Sequence, residues 1–114
     1  MDKDCIFCKI VKGEAPAKIQ YEDENIIAFD SIKPVSEVHI LVVPKKHIES
    51  FIKLHNYEVM VSMTKAVQQI IKSKNLTNAY RLVFNGGKFQ AVSHLHWHIL
   101  GGEFADEKQS LNQT

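Results

Sequence analysis

His94-Leu95-His96-Trp97-His98-Ile99-Leu100 is the stretch whose reading decides the fold. Histidines and apolar residues alternate over it, and a period of two marks a strand with two unlike faces. Read as a strand, it sets His94, His96 and His98 in one row and turns Leu95, Trp97 and Ile99 the other way. A rise of ~3.4 Å per residue spaces neighbouring imidazoles by about 7 Å. At that spacing they cannot hydrogen-bond unless they lean, so each needs its own partner and the three need not share a role. A packed face would carry β-branched residues, and a solvated one Lys, Glu or Thr. A row of imidazoles therefore points to chemistry. Two kinds stay open: a catalytic metal, with a third ligand from His39 or His47, or a histidine nucleophile whose neighbours act on protons.

Working outward, Gly101-Gly102 closes this strand, and 103–114 reads as a polar tail behind a single domain of 1–102. Upstream, 79–84 reads as a strand followed by the loop Asn85-Gly86-Gly87. Residues 56–74 are helical in period: Val59, Met63, Ala66, Val67, Ile70 and Ile71 fall on one face. Lys72 and Lys74 suit the negative end of that helix, and Asn75 is a stop signal. The β-branched run 38–43 predicts a strand ended by Pro44. Residues 18–22 and 26–30 predict a hairpin about Asp23-Glu24-Asn25. Residues 5–12 predict one or two helical turns. The predicted class is α+β: a five-stranded antiparallel sheet with one long helix and a short N-terminal helix.

The chain has 114 residues, enough to bury a core without staples. Its 14 basic and 13 acidic residues leave a formal net charge of +1, which excludes a broad electrostatic footprint for nucleic acid. No run approaches the ~20 apolar residues of a membrane span, and the charged start Met1-Asp2-Lys3-Asp4 does not read as a targeting signal. The expected location is cytoplasmic. There, Cys5-x-x-Cys8 fits a metal or redox pair better than a disulfide. Two thiolates do not complete a zinc site, and no thioredoxin-like βαβ context follows. A pair of small buried thiols is the plain alternative.

The His94–Leu100 stretch matches the His-x-His-x-His-x-x pattern of the histidine triad hydrolases and transferases. Cys5-Ile6-Phe7-Cys8-Lys9-Ile10 resembles that family's N-terminal segment. Ala28-Phe29 to Pro34 resembles its hairpin return, and Val38-His39-Ile40-Leu41-Val42-Val43-Pro44-Lys45-Lys46-His47 its central strand. Tyr80-Arg81-Leu82-Val83-Phe84-Asn85 is similar to the strand before its active-site loop. The match runs in order over 5–102 and is most similar to the Hint branch, which hydrolyses nucleoside phosphoramidates.

The resemblance implies that His96 attacks the α-phosphorus of a purine nucleotide, such as an adenosine phosphoramidate, and that water releases the nucleoside monophosphate. It implies that a backbone carbonyl of the same strand fixes the His96 tautomer. His98 and His39 lie near the phosphate in that reading, Asn85 contacts the phosphate or leaving group, and the Gln90-Ala91-Val92 segment contributes backbone N–H groups from Ala91 and Val92. A plain Asn-Gly turn is the competing reading of Asn85. Ile6, Phe7, Phe29 and Ile32 match positions that hold the base and ribose, with plain core as the alternative.

A zinc-bearing subset of the family, with the related galactose-1-phosphate uridylyltransferases, implies a structural zinc on Cys5, Cys8, His47 and His94 and no catalytic metal. A homodimer is implied too. Dinucleoside polyphosphate hydrolysis, nucleotidyl transfer and non-catalytic nucleotide binding are the alternative functions. This chain departs from the Hint pattern in three places. The loop before His94 is shorter by about two residues, Ala91 stands where a serine is expected, and the ribose-binding acid is displaced from Ser31 to Asp30. A one-residue shift turns a strand side chain to the other face, so either Ser31 makes the ribose contact or the strand end bends.

Overall fold

The period-two segments come together in one antiparallel sheet in a computed structural model of the chain, which describes residues 4–104. Its strands are β1 (Ile19–Glu22), β2 (Ile26–Asp30), β3 (Ser36–Pro44), β4 (Tyr80–Val83) and β5 (Trp97–Phe104), in the order β1-β2-β3-β5-β4. The helices are α1 (Ile6–Val11) and α2 (Glu58–Ser73).

Alternation along the central strands sorts their side chains into two cores. Ile26 and Ala28 of β2, Ile40 and Val42 of β3, and Leu95, Trp97 and Ile99 join Met63, Ala66, Val67, Ile70 and Ile71 of α2. Ile27, Phe29, Leu41 and Val43 point the other way and join Cys5, Phe7 and Cys8. So α2 covers one face and α1 the other. Burying each large apolar side chain contributes about 1.5–3 kcal/mol, which is why the amphipathic period of α2 predicts its placement.

Local chemistry sets the helix ends. Asn56 Oδ1 accepts from the Glu58 N–H at 3.0 Å, a turn that delays the start of α2 by two residues relative to the predicted 56. At its other end Asn75 adopts φ 57°, and the Leu76 N–H reaches the Ile71 carbonyl at 2.9 Å. A left-handed residue closing the last carbonyls is the stop that Asn predicts. With six residues, α1 is too short to hold itself. Cys5 Sγ caps it by accepting from the Cys8 N–H at 3.3 Å, and buried Phe7 and Cys8 anchor it.

Two strand boundaries correct the sequence reading. The last strand begins at Trp97, so His94 and His96 precede it instead of lying in it. Trp97 pairs with Val42 of β3, and a continued ladder would bring Leu95 opposite Pro44, which has no N–H to donate. The Leu95 N–H bonds the Ile48 carbonyl at 2.6 Å instead. The alternation of faces nevertheless persists, with Leu95 in the α2 core and His94 and His96 opposite it, packed against Phe7. The second correction lies past the double glycine, where β5 runs on to Phe104, paired with Ser36. The polar tail expected beyond it falls, from 105 on, outside the described residues.

Gly102 makes that continuation possible. Its φ of +73° disfavours any side chain, and a Cβ there would meet Glu37. Gly86, by contrast, has φ −134° and open space around its missing Cβ. Gly102→Ala is therefore expected to lower unfolding free energy by about 1–2 kcal/mol in urea titrations, with Gly86→Ala within ~0.5 kcal/mol of the parent.

Candidate active site and metal cluster

His94 has no solvent exposure, and both ring nitrogens are engaged. Its Nε2 lies 2.8 Å from the Pro44 carbonyl, which can accept only, so Nε2 carries the hydrogen and Nδ1 the lone pair. Nδ1 then faces Cys5 Sγ at 3.3 Å and Cys8 Sγ at 3.6 Å, and Cys8 Sγ lies 3.2 Å from His47 Nδ1. The four atoms sit within 4.8 Å of one another. A tetrahedral zinc with bonds of about 2.3 Å to sulfur and 2.0–2.1 Å to nitrogen has ligand edges of roughly 3.3–3.8 Å. The donor set and its spacing fit that metal, and the Pro44 carbonyl supplies the outer hydrogen bond that orients a ligand imidazole. Burial pushes His94 down to about 4 against the opposing pull of the Pro44 bond, with His47 and His96 lowering it further, so the ring is neutral as a ligand must be.

The carbonyl of the same residue holds His96. His96 Nδ1 donates to the His94 carbonyl at 2.8 Å, which leaves the lone pair on Nε2. No described residue hydrogen-bonds that Nε2. Burial lowers the His96 pKa although the carbonyl bond opposes it. The Phe7 ring stands edge-on at 5.2 Å and fixes the imidazole laterally. His98 follows with its ring centroid 5.1 Å from that of His96, closer than the about 7 Å along a regular strand, so the two rings lean together. His98 Nδ1 lies 2.8 Å from His39 Nε2 of β3. Both are pushed down to about 4, chiefly by burial and then by neighbouring imidazoles. The arrangement is a neutral, oriented imidazole with a free lone pair beside a second neutral imidazole pair.

The remaining predicted residues divide. Phe7 and Phe29 are buried and in edge contact at 5.4 Å, so they are core of the face that carries the triad. Ile6 and Ile32 are 44% and 93% exposed, which excludes the plain-core reading for both. Asp30 is a correction. It shares the α2 side with Ile26 and Ala28, and accepts from Gln20 Nε2 at 3.0 Å, while Gln20 Oε1 accepts from Lys74 Nζ at 2.6 Å. The strand end does not bend to bring it to His96. Ser31 instead adjoins the site strand, its N–H donating to the His39 carbonyl at 2.9 Å.

Asn85 is half-buried in the loop after β4, and Ala91 is exposed. Gln90 Nε2 donates to the Glu49 and Val92 carbonyls at 2.8 and 2.9 Å, and the Val92 carbonyl also accepts from the His94 N–H at 2.8 Å. Gln90 thus braces the loop that delivers His94. Val92 packs against the Phe7 core, and His55 is exposed. Sequence reading missed the Pro44 carbonyl and the Gln90 brace. A backbone carbonyl leaves no residue signature, and Gln90 bonds backbone atoms of a segment 41 positions away.

A family profile described as "Scavenger mRNA decapping enzyme C-term binding" matches residues 4–112. An uncharacterized HIT-like protein of Methanocaldococcus jannaschii is 42% identical over 100 residues, covering 84% of this chain and 77% of that protein. A 14 kDa zinc-binding protein of Zea mays is 38% identical over 112 residues, covering 89% and 84%. Among solved structures, a HIT family hydrolase from Clostridium thermocellum superposes with TM-score 0.87 at 37% identity, covering 93% of this chain and 96% of that one. A histidine triad nucleotide-binding protein from Candida albicans gives 0.82 at 28% identity, covering 88% and 76%.

His39, His94 and His98 are held neutral in the fold with pKa values of about 4, below an ordinary ~6.5. The unfolded chain therefore binds protons first on acidification. The stability these rings carry is complete above pH ~6.5 and is lost as pH falls toward 4. Thermal melts are expected to drop by roughly 5 °C or more between pH 7 and pH 4.5, and His98→Asn, which cannot titrate, should flatten that slope.

Proposed function

This chain belongs to the histidine triad family, and from that premise we propose that it is a nucleotide hydrolase working through a covalent nucleotidyl-histidine at His96. Its proposed substrates are purine nucleoside phosphoramidates, such as an adenosine phosphoramidate. The observation that carries the reading is the 2.8 Å bond from His96 Nδ1 to the His94 carbonyl, which turns an unprotonated Nε2 toward any incoming electrophile. Nε2 forms a bond to the α-phosphorus, and the bond to the leaving nitrogen breaks with its electron pair on that nitrogen, which takes up a proton from solvent and departs as the neutral amine; the water of the next step returns a proton to solvent. Water then displaces the nucleotidyl group, regenerating neutral His96 and releasing the nucleoside monophosphate. Phosphoryl transfer asks the protein mainly for position and charge stabilisation. In this reading His98, Asn85 and the Ala91 and Val92 N–H groups supply both.

The exposed Ile6 and Ile32 are the apolar surface offered to the base and ribose, and Ser31, whose N–H is bound to the His39 carbonyl, takes the ribose contact. The names of the superposed hydrolase and nucleotide-binding protein support hydrolysis and nucleotide recognition in proteins of this fold. Zinc is the proposed resident metal on Cys5, Cys8, His47 and His94, supported by the donor geometry and by the named zinc-binding relative. Bound there, it supplies a cross-link between α1 and the segment that presents His96. Four protein ligands leave it no open position for substrate, and His96 is not among them. We also read the chain as a cytoplasmic homodimer. The exposed Tyr80 and Leu82 (51% and 42%) of the edge strand β4 support the dimer.

Adenosine phosphoramidate turnover and metal content, measured on wild type, His96→Ala and Cys8→Ala, test the reading. His96→Ala is expected to lose at least about 10³-fold in kcat while keeping its zinc. Cys8→Ala is expected to lose zinc and melt at least several degrees lower. Loss of metal in His96→Ala would instead place the triad on the metal. Nucleotide binding by an inactive wild type would make the protein a binder, and preference for a dinucleoside polyphosphate would reassign the leaving group.

A further inference from the structure

We propose that the backbone amide of Val35, acting through His39, sets the tautomer of His98 and so presents an Nε2–H donor beside the nucleophile. His39 is then a positioning residue and not a group that touches substrate. Two hydrogen bonds in series, one to each nitrogen of His39, fix the order of hydrogens. The Val35 N–H points at His39 Nδ1 from 3.1 Å. An amide N–H can only donate, so Nδ1 is the acceptor, and a neutral imidazole has one hydrogen, which must sit on Nε2. That Nε2 is 2.8 Å from His98 Nδ1, so it donates and His98 Nδ1 accepts. The hydrogen of His98 is thereby left on its own Nε2.

His98 Nε2 is buried and has no hydrogen-bond partner among the described residues. A buried donor without an acceptor lowers stability, and it is kept where an incoming group is to meet it. The His98 ring centroid lies 5.1 Å from that of His96, so the two imidazoles are neighbours on this face. A phosphoryl oxygen or the leaving atom at His96 is the acceptor that would satisfy it. The opposite tautomer would aim a lone pair at an anionic phosphate. Burial keeps both rings uncharged, so neither carries a second hydrogen that would blur the order.

The turn between β2 and β3 is fastened to His39 from both ends. The Ser31 N–H bonds the His39 carbonyl at 2.9 Å, and the Val35 N–H bonds its ring. Val35 is itself buried, and Pro34 restricts the residue before it. The turn therefore holds one amide hydrogen on a catalytic-face imidazole. The use of the donor rests on His96 being the nucleophile; the tautomer order does not.

Two-bond 1H–15N correlation spectra of histidine-labelled protein at neutral pH, without substrate, read the tautomers directly. Both His39 and His98 are expected as Nε2–H forms. An Nδ1–H form of either ring would overturn the proposal. His39→Gln retains an N–H that can donate to His98 Nδ1, and His39→Leu does not. His98 is expected to stay Nε2–H in the first and to become a tautomer mixture in the second. With adenosine phosphoramidate, His39→Leu should lose at least about 10-fold in kcat, short of the ~10²–10³ lost when such a donor is deleted. His39→Gln should recover part of that loss, with KM little changed in both. Equal loss in the two variants with His98 still Nε2–H would overturn the positioning role. Absence of any turnover in wild type would remove the hydrolase reading while the spectra still judge the relay.

Discussion

One residue, His94, carries the interactions on which the rest of the site depends. Its Nε2–H is bound to the Pro44 carbonyl, its Nδ1 faces two thiols, and its own carbonyl holds the Nδ1–H of His96. The ring bond to Pro44 leaves the His94 lone pair on Nδ1, and the carbonyl bond leaves that of His96 on Nε2. Both follow from the same break in the sheet. Because Pro44 has no amide hydrogen, the chain before Trp97 leaves the ladder, and the carbonyls that a strand would have paired with another strand become free to hold imidazoles.

Burial makes these bonds consequential. His39, His94 and His96 are each at most 7% exposed, and an imidazole in that setting is costly unless its nitrogens are satisfied. Protein groups satisfy His39 on both nitrogens and His94 on both. Among the described residues, His96 and His98 are each satisfied on Nδ1 alone. The two nitrogens left over are an acceptor on His96 and a donor on His98, on neighbouring rings. That pairing of unmet groups is what a phosphorus centre with its oxygens would complete. α1, too short to be stable alone, closes this face through Phe7 and the thiols, so the N-terminal segment is part of the site and not an appendage.

Much of this was legible in the residues. Alternation predicts the sheet and the opposition of the histidines to Leu95, Trp97 and Ile99, and the period of 56–74 predicts the helix that covers the apolar side. The set Cys5, Cys8, His47 and His94, which the family resemblance implies, is the cluster that the fold brings together. What was not legible has a common cause. The start of β5 depends on which residue lies opposite Pro44, the orientation of Asp30 on where β2 ends, and the tautomers on backbone groups of Val35, Pro44 and His94. Register and backbone hydrogen bonds are set by tertiary pairing, and no residue type signals them. The shift of the acid from Ser31 to Asp30 shows the same limit. Period two says that the side chain must flip, and the fold shows that it is then taken up by Gln20 on the α2 side.

We propose that the carbonyl-held His96 becomes covalently bonded to phosphorus during turnover. Rapid alkaline quench of the protein with adenosine phosphoramidate, which preserves the acid-labile P–N bond, followed by intact-mass and peptide mass spectrometry under non-acidic conditions, observes that bond directly. A transient nucleoside monophosphate adduct mapped to His96 is expected, forming and decaying at rates that match turnover. Steady turnover with no adduct at any time, or with an adduct on a different residue, would contradict it.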